Sequence, residues 1–157
     1  TTLAHYLDLL HAAGLLAGLS KHAGQHVRQR ASSPKLQALN TALITAQASS
    51  SFEELRRDRA AWGHLVESAV GAHLLNQAEG TDTQVEYWAS GNREVDFVLS
   101  RGARTVAIEG KSGQPRDRLP GPAAFAAQFP VHRQLLVGEG GIPIEEFLLS
   151  DLGTWLE

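Results

Sequence analysis

The hydrophobic residues in the first half of the chain recur mainly every three to four positions, which is the period of an α-helix. This spacing predicts a helix over residues 2–13 and the longest helix of the chain over residues 57–78. The serine-rich stretch before Glu53 and Glu54 predicts the start of a further helix. The apolar side of the longest helix consists of Trp62, Leu65, Val66, Ala69, Val70 and Leu74. Shorter patterns predict two strands and a short helix, at 15–22, 35–40 and 41–48.

After residue 80 the period changes, and hydrophobic and polar residues alternate as they do in half-buried strands. Strand patterns cover 84–89, 94–100, 105–111 and 132–140, with a short helix predicted at 122–129 and a last helix at 150–156. The strand–helix–strand stretch over 105–138 predicts a right-handed crossover between parallel strands. Polar segments at 23–34 and 113–121 predict loops. The pattern therefore predicts an α/β protein with a mixed β-sheet flanked by helices.

Composition narrows the class of protein. Hydrophobic residues make up 43% of the chain and charged residues 20%, which is typical of a globular protein and excludes a disordered one. The absence of cysteine excludes disulfides and thiolate metal sites and favours the cytoplasm. No apolar run is long enough to span a membrane, and no secretion leader is evident. The chain starts without methionine, so we expect it to be a piece of a longer protein.

The two strands at 94–100 and 105–111 form the most strand-like hairpin of the chain, and they carry charged residues. If the turn is symmetric about the Gly102–Ala103 bond, Asp96 lies opposite Glu109, and Glu94 lies opposite Lys111. Side chains two residues apart share a face of a strand, so this register places two carboxylates side by side with a lysine next to them. Directly opposed Cβ atoms in a sheet are about 4.5–5.5 Å apart.

Two opposed carboxylates repel each other unless something offsets their charge. A raised pKa would do so, and so would a divalent cation such as Mg²⁺ or Mn²⁺, which prefers oxygen ligands. Lys111 could then orient a water or neutralise charge on a phosphate. Glu67, at the edge of the apolar side of the long helix, could complete the ligand set. The alternative is a hairpin with one polar, solvated face, which the same alternation would produce.

An acid on one strand followed by Glu109–Gly110–Lys111 on the next resembles the PD-(D/E)XK motif of the restriction-endonuclease-like nucleases. The resemblance implies a restriction-endonuclease-like mixed sheet, Mg²⁺ or Mn²⁺ bound by Asp96, Glu109 and Glu67, and a catalytic site made of these three acids and Lys111. It also implies DNA as a substrate. The proline that usually precedes the first acid is absent, and Gly110 stands where a β-branched residue is usual.

A second resemblance covers most of residues 31–141. The stretches "SSPKLQALNTAL", "WGHLVESAVGAHLL", "YWASGNREVDFVL", "VAIEGKSG" and "LLVGEGG" are similar to a nuclease-like C-terminal domain of unknown function in bacterial and archaeal AAA+ ATPase proteins. The first 20 residues resemble the end of a winged helix. This similarity implies a winged-helix-like fragment at 1–30, a nuclease-like domain at 31–157, and an AAA+ ATPase region or protein as partner. No Walker A motif occurs, so we expect no ATP site in this chain.

Three hypotheses of function follow. The first is a metal-dependent phosphodiesterase domain that acts on DNA. The second is a non-catalytic module with a nuclease fold that interacts with or regulates an ATPase. The third is that the basic stretch at 21–30 contacts DNA phosphates by itself, although the net charge of −3 does not favour a purely electrostatic nucleic-acid binder. No membrane partner is expected, and the sequence does not predict an oligomeric state.

Overall fold

The computed structural model describes residues 2–23, 33–111 and 120–157. In these residues six strands form one open sheet in the order β2-β1-β3-β4-β5-β6. The strands are β1 (Leu16–Lys21), β2 (Lys35–Ala38), β3 (Gln84–Ser90), β4 (Arg93–Arg101), β5 (Arg104–Lys111) and β6 (Arg133–Gly138). The sheet is mixed, because β1 and β3 and likewise β5 and β6 run parallel, whereas the other neighbours are antiparallel. The predicted α/β class and the predicted mixed sheet are confirmed.

Seven helices flank this sheet in the described part of the chain. They are α1 (Thr2–Ala12), α2 (Ala42–Gln47), α3 (Phe52–Arg57), α4 (Arg59–Ala78), α5 (Pro120–Ala126), α6 (Ile144–Leu149) and α7 (Leu152–Leu156). None of the helices in these residues is long and apolar enough to cross a membrane. The helix predicted at 122–129 corresponds to α5, which begins two residues earlier and ends three residues earlier.

The helix predicted over 57–78 corresponds to α4 together with the last residue of α3. One residue, Asp58, separates these two helices. Ser51 and Glu54 form a capping box that begins α3, in which each side chain bonds the backbone amide of the other residue. Asp58 then caps α4, because its carboxylate accepts hydrogen bonds from the amides of Ala60 and Ala61. The cap at Asp58 therefore sets where α4, the helix that carries Glu67, begins.

The two sides of the sheet have separate hydrophobic cores. On one side, which we call the α4 face, helices α4, α6 and α7 cover a cluster that includes Val70, Leu74, Phe97, Ile108 and Val137. On the other side, the α5 face, helix α5 covers a cluster made of Trp88, Val95, Val98, Ala107, Ala124 and Phe125. Side chains of β5 alternate between the two clusters, as expected for a strand covered on both faces.

The hairpin of β4 and β5 has the register that the sequence predicts. Its ladder runs from Arg101 paired with Arg104 to Phe97 paired with Ile108. Gly102 in the turn has a φ of +57°, which a glycine adopts without strain. The symmetric turn is therefore confirmed, and the next two positions along the strands are Asp96 and Glu109.

The side chains of β4 stop alternating between the two faces of the sheet at Asp96. Val95 and Val98 pack in the cluster on the α5 face, whereas Phe97 packs in the cluster on the α4 face. In the same place the pairing of β3 with β4 shifts by one residue, between Glu86 and Trp88 on β3. Such a shift is a β-bulge, which bends a strand and re-aims a side chain. The first acid of the predicted motif therefore lies at an irregularity of the sheet.

Strand β2 is held against α4 at a glycine. The side chain of Gln37 is buried, and its Nε2 donates to the carbonyl oxygens of Ser68 and Ala38, both at 2.9 Å. A Cβ on Gly71 would lie 2.6 Å from Cδ of Gln37 and 2.8 Å from the ring of Phe97, so only glycine fits there. This close packing brings the edge strand β2 beneath the helix that carries Glu67.

Some predictions lie outside the described residues. These are the domain boundary predicted between residues 30 and 31, most of the basic stretch at 21–30, and most of the loops at 23–34 and 113–121. The division of the chain into two parts stays a prediction. Strand β1, from the predicted N-terminal fragment, pairs with both β2 and β3 in the common sheet.

Candidate functional site

Asp96 is joined to β5 by its side chain. Its Oδ2 accepts a hydrogen bond of 2.9 Å from the backbone amide of Gly110, one step beyond the last backbone pair of the hairpin. Burial raises the pKa of Asp96 to about 6, and the negative charge of Glu67 adds to this effect. The hydrogen bond from Gly110 and the charge of Lys35 act in the opposite direction without cancelling it.

Glu109 is the second acid, and one of its oxygens has no partner. Its Oε1 lies 3.7 Å from Nζ of Lys111, and its side chain is only 16% exposed. Its Oε2 is buried and has no hydrogen-bond partner among the described residues. Burial raises the pKa of Glu109 to about 7, with the charge of Asp96 acting in the same direction and Lys111 acting against it. A buried, unpaired carboxylate oxygen is costly, so this acid is poised to accept a proton or a cation.

The expectation that Asp96, Glu109 and Lys111 leave one face of the hairpin needs a correction. Alternation after Ala107 and Ile108 places Glu109 and Lys111 on the α5 face, so these two side chains do share a face. The bulge instead directs the carboxylate of Asp96 to the amide of Gly110, between the strands. The two acids remain close enough that the charge of Asp96 is the largest charge effect on the pKa of Glu109.

Glu67 approaches the same point from α4. A Cβ built on Gly110 would lie 3.8 Å from the Cα of Glu67 and 3.8 Å from Oδ2 of Asp96. Of the charged groups that act on Asp96, Glu67 has the largest effect on its pKa. The structure therefore places Glu67 and Asp96 together on the α4 side of Gly110, whereas Glu109 and Lys111 leave β5 on the α5 face, with Asp96 as the acid that influences Glu109 most.

A fifth residue, Lys35 at the start of β2, belongs to this cluster. Its Nζ donates to Oε1 of Glu67 at 2.7 Å and to Oε1 of Glu94 at 3.0 Å. Burial by itself would lower the pKa of Lys35, but the hydrogen bonds and charges of the two glutamates outweigh it and raise the pKa well above its usual range. The sequence register placed Glu94 opposite Lys111, but the ladder of β4 with β5 ends at Phe97 and Ile108, before that pair is reached. The ion-pair partner of Glu94 is Lys35, and that of Lys111 is Glu109.

Residues 62–145 match the family model of DUF4143, a domain of unknown function. The match spans more than half of the chain. The chain belongs to the DUF4143 family. The matched segment contains Glu67, Glu94, Asp96, Glu109 and Lys111, whereas Lys35 precedes it. Comparison with curated proteins and with solved structures gave no match.

Among the described residues of this DUF4143 chain, the charges of the site do not balance. Four carboxylates, those of Glu67, Glu94, Asp96 and Glu109, act on one another and on two ammonium groups. When all six groups are ionised, two negative charges are left over. Burial is the largest cause of the raised pKa values of Asp96 and Glu109, and the neighbouring carboxylates add to it.

The donor set suits a divalent cation that needs few protein ligands. Among the described residues, no three His, Asp or Glu side chains are arranged so that they could hold a metal ion together. Mg²⁺, however, usually binds through one or two carboxylates and keeps several waters. Asp96 and Glu109 supply two carboxylates, and Oε2 of Glu109 has no other partner in the described part of the chain. These two residues would be the ligands of such an ion, while Oε1 of Glu67 is engaged by Lys35.

The described part of the DUF4143 chain contains a further buried acid, Glu86, away from these residues. His22 and Glu86 are joined by a contact of 2.6 Å between Nδ1 and Oε2, and the histidine ring packs edge-on against Phe125 and Phe129. This pair ties the end of β1 to β3, next to the only two ladder pairs that those strands share in the described residues. The His22–Glu86 pair packs on the α5 face. Its acid has a hydrogen-bond partner, whereas Oε2 of Glu109 has none among the described residues.

Proposed function

We propose that this domain is a phosphodiesterase that depends on a divalent cation and acts on DNA, with Asp96 and Glu109 as the residues that hold the cation. The observation that carries the proposal is the buried, unpaired Oε2 of Glu109 next to Asp96, a half-buried acid whose charge raises the pKa of Glu109. A pair of acids that served only to stabilise the fold would be expected to have partners for its buried oxygens, since each one left unpaired costs about 1–3 kcal/mol.

Each residue of the site would have its own role in the reaction. Asp96 and Glu109 would hold Mg²⁺ or Mn²⁺, which polarises a phosphoryl oxygen and lowers the pKa of a bound water. Lys111 projects beside Glu109 and would neutralise negative charge that develops on the phosphate. The amide of Gly110 fixes the carboxylate of Asp96, so this ligand would be held in place before a substrate arrives. Glu67 would maintain the negative potential that attracts the cation.

DNA is proposed as the substrate because of the resemblance to the PD-(D/E)XK motif. In support, Glu109–Gly110–Lys111 lies on the strand next to the one that carries Asp96, and the ladder of that hairpin ends one pair before Asp96 and Glu109. The similarity over residues 31–141 further suggests that the domain works as the C-terminal part, or as a partner, of an AAA+ ATPase. The unbalanced charge of the site supports a cation-dependent reaction independently of that resemblance.

The test is cleavage of single-stranded, double-stranded and branched DNA with Mg²⁺ or Mn²⁺ present. The wild-type chain should cut at least one of these substrates, and Asp96→Asn, Glu109→Gln and Lys111→Ala should each reduce the rate at least about 100-fold, in the range that single catalytic groups contribute. Glu53→Gln is a matched control, because Glu53 is an exposed acid whose partner is Arg57. Cleavage that survives both Asp96→Asn and Glu109→Gln would refute the assignment.

A second candidate function, a module that binds an ATPase, is favoured by one surface. An apolar groove of about 590 Å³ lies between α1, β1, β2 and α2. Its apolar lining includes Leu10, Leu15, Leu16, Leu43 and Ile44. Leu43 and Ile44 are each more than a third exposed. Under this alternative, Leu43→Asp would abolish association with the ATPase region, whereas Asp96→Asn would leave association unchanged and no DNA cleavage would be seen.

A further inference from the structure

Helix α3 carries an exposed aromatic ring outside both hydrophobic cores. Neither core cluster includes a residue of α3, and the helix packs against α4. Phe52, its first residue, is 61% exposed, whereas the other phenylalanines of the chain are buried or half-buried. Its ring meets that of Trp62 on α4 in a T-shaped contact, with the ring centroids 5.8 Å apart. Most of the surface of the Phe52 ring is therefore open to a ligand.

One turn after this phenylalanine, and on the same side of α3, lies an arginine whose charge is not offset by a direct contact. Arg56 is exposed and has no hydrogen bond or ion pair with any of the described residues. Other charges nearby are engaged. Glu53 pairs with Arg57 at 3.5 Å, and the carboxylates of Glu54 and Asp58 accept hydrogen bonds at the starts of α3 and α4.

An aromatic ring beside an arginine suits a single strand of nucleic acid. Residues four apart are neighbours on a helix, with Cβ atoms about 5–6 Å apart. Phe52 can stack on an unpaired base, and Arg56 can bind an adjacent phosphate through two parallel hydrogen bonds. In a duplex the faces of each base are covered by the neighbouring base pairs, so the ring cannot stack there. The chemistry of these two side chains therefore favours unpaired DNA over duplex DNA.

This aromatic and basic surface lies on the helix pair that leads to the candidate site. Trp62, against which Phe52 packs, precedes Glu67 on α4 by five residues, which is about 7.5 Å along the helix axis. One strand of B-form DNA carries a phosphate about every 3.4 Å along its axis. A strand that follows α4 from Phe52 therefore reaches the level of Glu67 within about two to three nucleotides.

We propose that Phe52 and Arg56 form a binding surface for single-stranded DNA, in which the ring stacks on a base and the guanidinium holds a phosphate beside it. This inference rests on the proposed function, which supplies DNA as the ligand, but it does not depend on a cation at Asp96 and Glu109. It narrows the substrate to DNA with an unpaired segment near the bond that is cut. Phe52 and Arg56 bind the substrate and do not act on the reacting atoms.

The test is the binding of a fluorescent oligothymidine, and of a duplex of the same length, measured by anisotropy in EDTA at several salt concentrations. The wild-type chain should bind the single strand more tightly. Phe52→Leu, which keeps apolar bulk against Trp62, should weaken that binding about 5- to 150-fold, as for the loss of one stacked base, and leave its salt dependence unchanged. Arg56→Gln should make the slope of log K against log salt shallower by about 0.7, as for the loss of one phosphate contact.

Conservative and distant variants separate this role from a structural one. Phe52→Tyr keeps a ring that can stack, and Arg56→Lys keeps the charge, so both should retain the wild-type affinity and slope. Arg101→Gln removes an arginine at the opposite end of β4 and should change neither quantity. Trp62 supplies a direct signal, because the other two tryptophans of the chain are buried. Oligothymidine should change its fluorescence in the wild-type chain and not in Phe52→Leu.

The outcomes distinguish this inference from the proposed function. Wild-type binding by both Phe52→Leu and Arg56→Gln, or equal affinity for the single strand and the duplex, would overturn the surface and leave the phosphodiesterase proposal standing. Absence of DNA binding in EDTA would also overturn it, and if no DNA is cut with Mn²⁺ either, the proposed function fails as well. Circular dichroism establishes that the variants fold, which we expect because α3 has no buried residue.

Discussion

The carboxylate of Asp96 on β4 accepts a hydrogen bond of 2.9 Å from the backbone amide of Gly110 on β5. This contact continues the hairpin by one step after its backbone ladder ends at Phe97 and Ile108. It has two consequences. The position of Asp96 is tied to the strand that carries Glu109 and Lys111, and the charge of Asp96 is held close enough to Glu109 to raise the pKa of that acid.

Removal of the Asp96 charge should therefore lower the pKa of Glu109. Asp96→Asn keeps an oxygen that can accept the hydrogen bond from Gly110, so the hairpin should keep its geometry while one of the two negative charges disappears. The pKa of Glu109 should fall from about 7 towards its ordinary value. The measurement is a carboxyl carbon NMR titration without metal. A pKa of Glu109 that does not change would mean that burial alone raises it.

The stability of the metal-free protein should depend on pH through Glu109. The folded state keeps the Glu109 proton up to about pH 7, whereas the unfolded chain releases it near its ordinary pKa of 4.5. Between these values the folded state binds more protons, so the free energy of unfolding should fall as pH rises. The loss from this group should be about 1–3 kcal/mol, because a tenfold change in a proton's binding constant corresponds to about 1.4 kcal/mol. Urea unfolding at pH 5 and pH 7.5 measures it.

Glu109→Gln should reduce that dependence, because it keeps the shape of the side chain and removes one of the two acids with a raised pKa, while the part that Asp96 contributes remains. At pH 7.5 the variant should be no less stable than the wild-type chain without metal. Glu53→Gln serves as the control and should leave the dependence as it is, because Glu53 is largely exposed. A Glu109→Gln protein with the full wild-type dependence on pH would show that other groups cause it.

A bound cation should stabilise the folded chain. At a Mn²⁺ concentration 100 times the dissociation constant, binding to the folded state alone contributes about 2.7 kcal/mol. For a domain of this size the melting temperature should rise by roughly 5–10 °C. Glu109→Gln should abolish the rise, since it removes a negative charge and leaves Asp96 as the single carboxylate. A wild-type melting temperature that does not move at millimolar Mn²⁺ would count against the metal site and favour the interaction module.

Gly71→Ala should destabilise the fold at the junction of β2 and α4. The added methyl would lie 2.6 Å from Cδ of Gln37 and 2.8 Å from the ring of Phe97, which forces buried groups apart. Overpacking of this kind costs about 1–3 kcal/mol. Gly153→Ala is the matched control, because it is also a helical glycine and a Cβ there has nothing within 4 Å. That variant should be neutral or up to about 1 kcal/mol more stable in urea.

The sequence by itself determined the elements that depend on neighbours in the chain. The register of the β4–β5 hairpin follows from a short turn at Gly102, and the start of α3 follows from the capping box of Ser51 and Glu54. The parallel pairing of β5 with β6 follows from the intervening helix. In each instance the interactions that decide the structure join residues that are close in sequence, so the pattern of residue types contains the information.

The placement of Asp96, Glu94 and Lys35 was decided by the tertiary structure. The bulge at Asp96 arises where β4 pairs with β3 and β5 at once and must satisfy cores on both of its faces. Lys35 is 32 residues from Glu67 and 59 from Glu94, and no spacing rule connects residues so far apart. Which lysine neutralises which acid depends on the close packing of β2 against α4 at Gly71, and only the folded chain brings those groups within hydrogen-bonding distance.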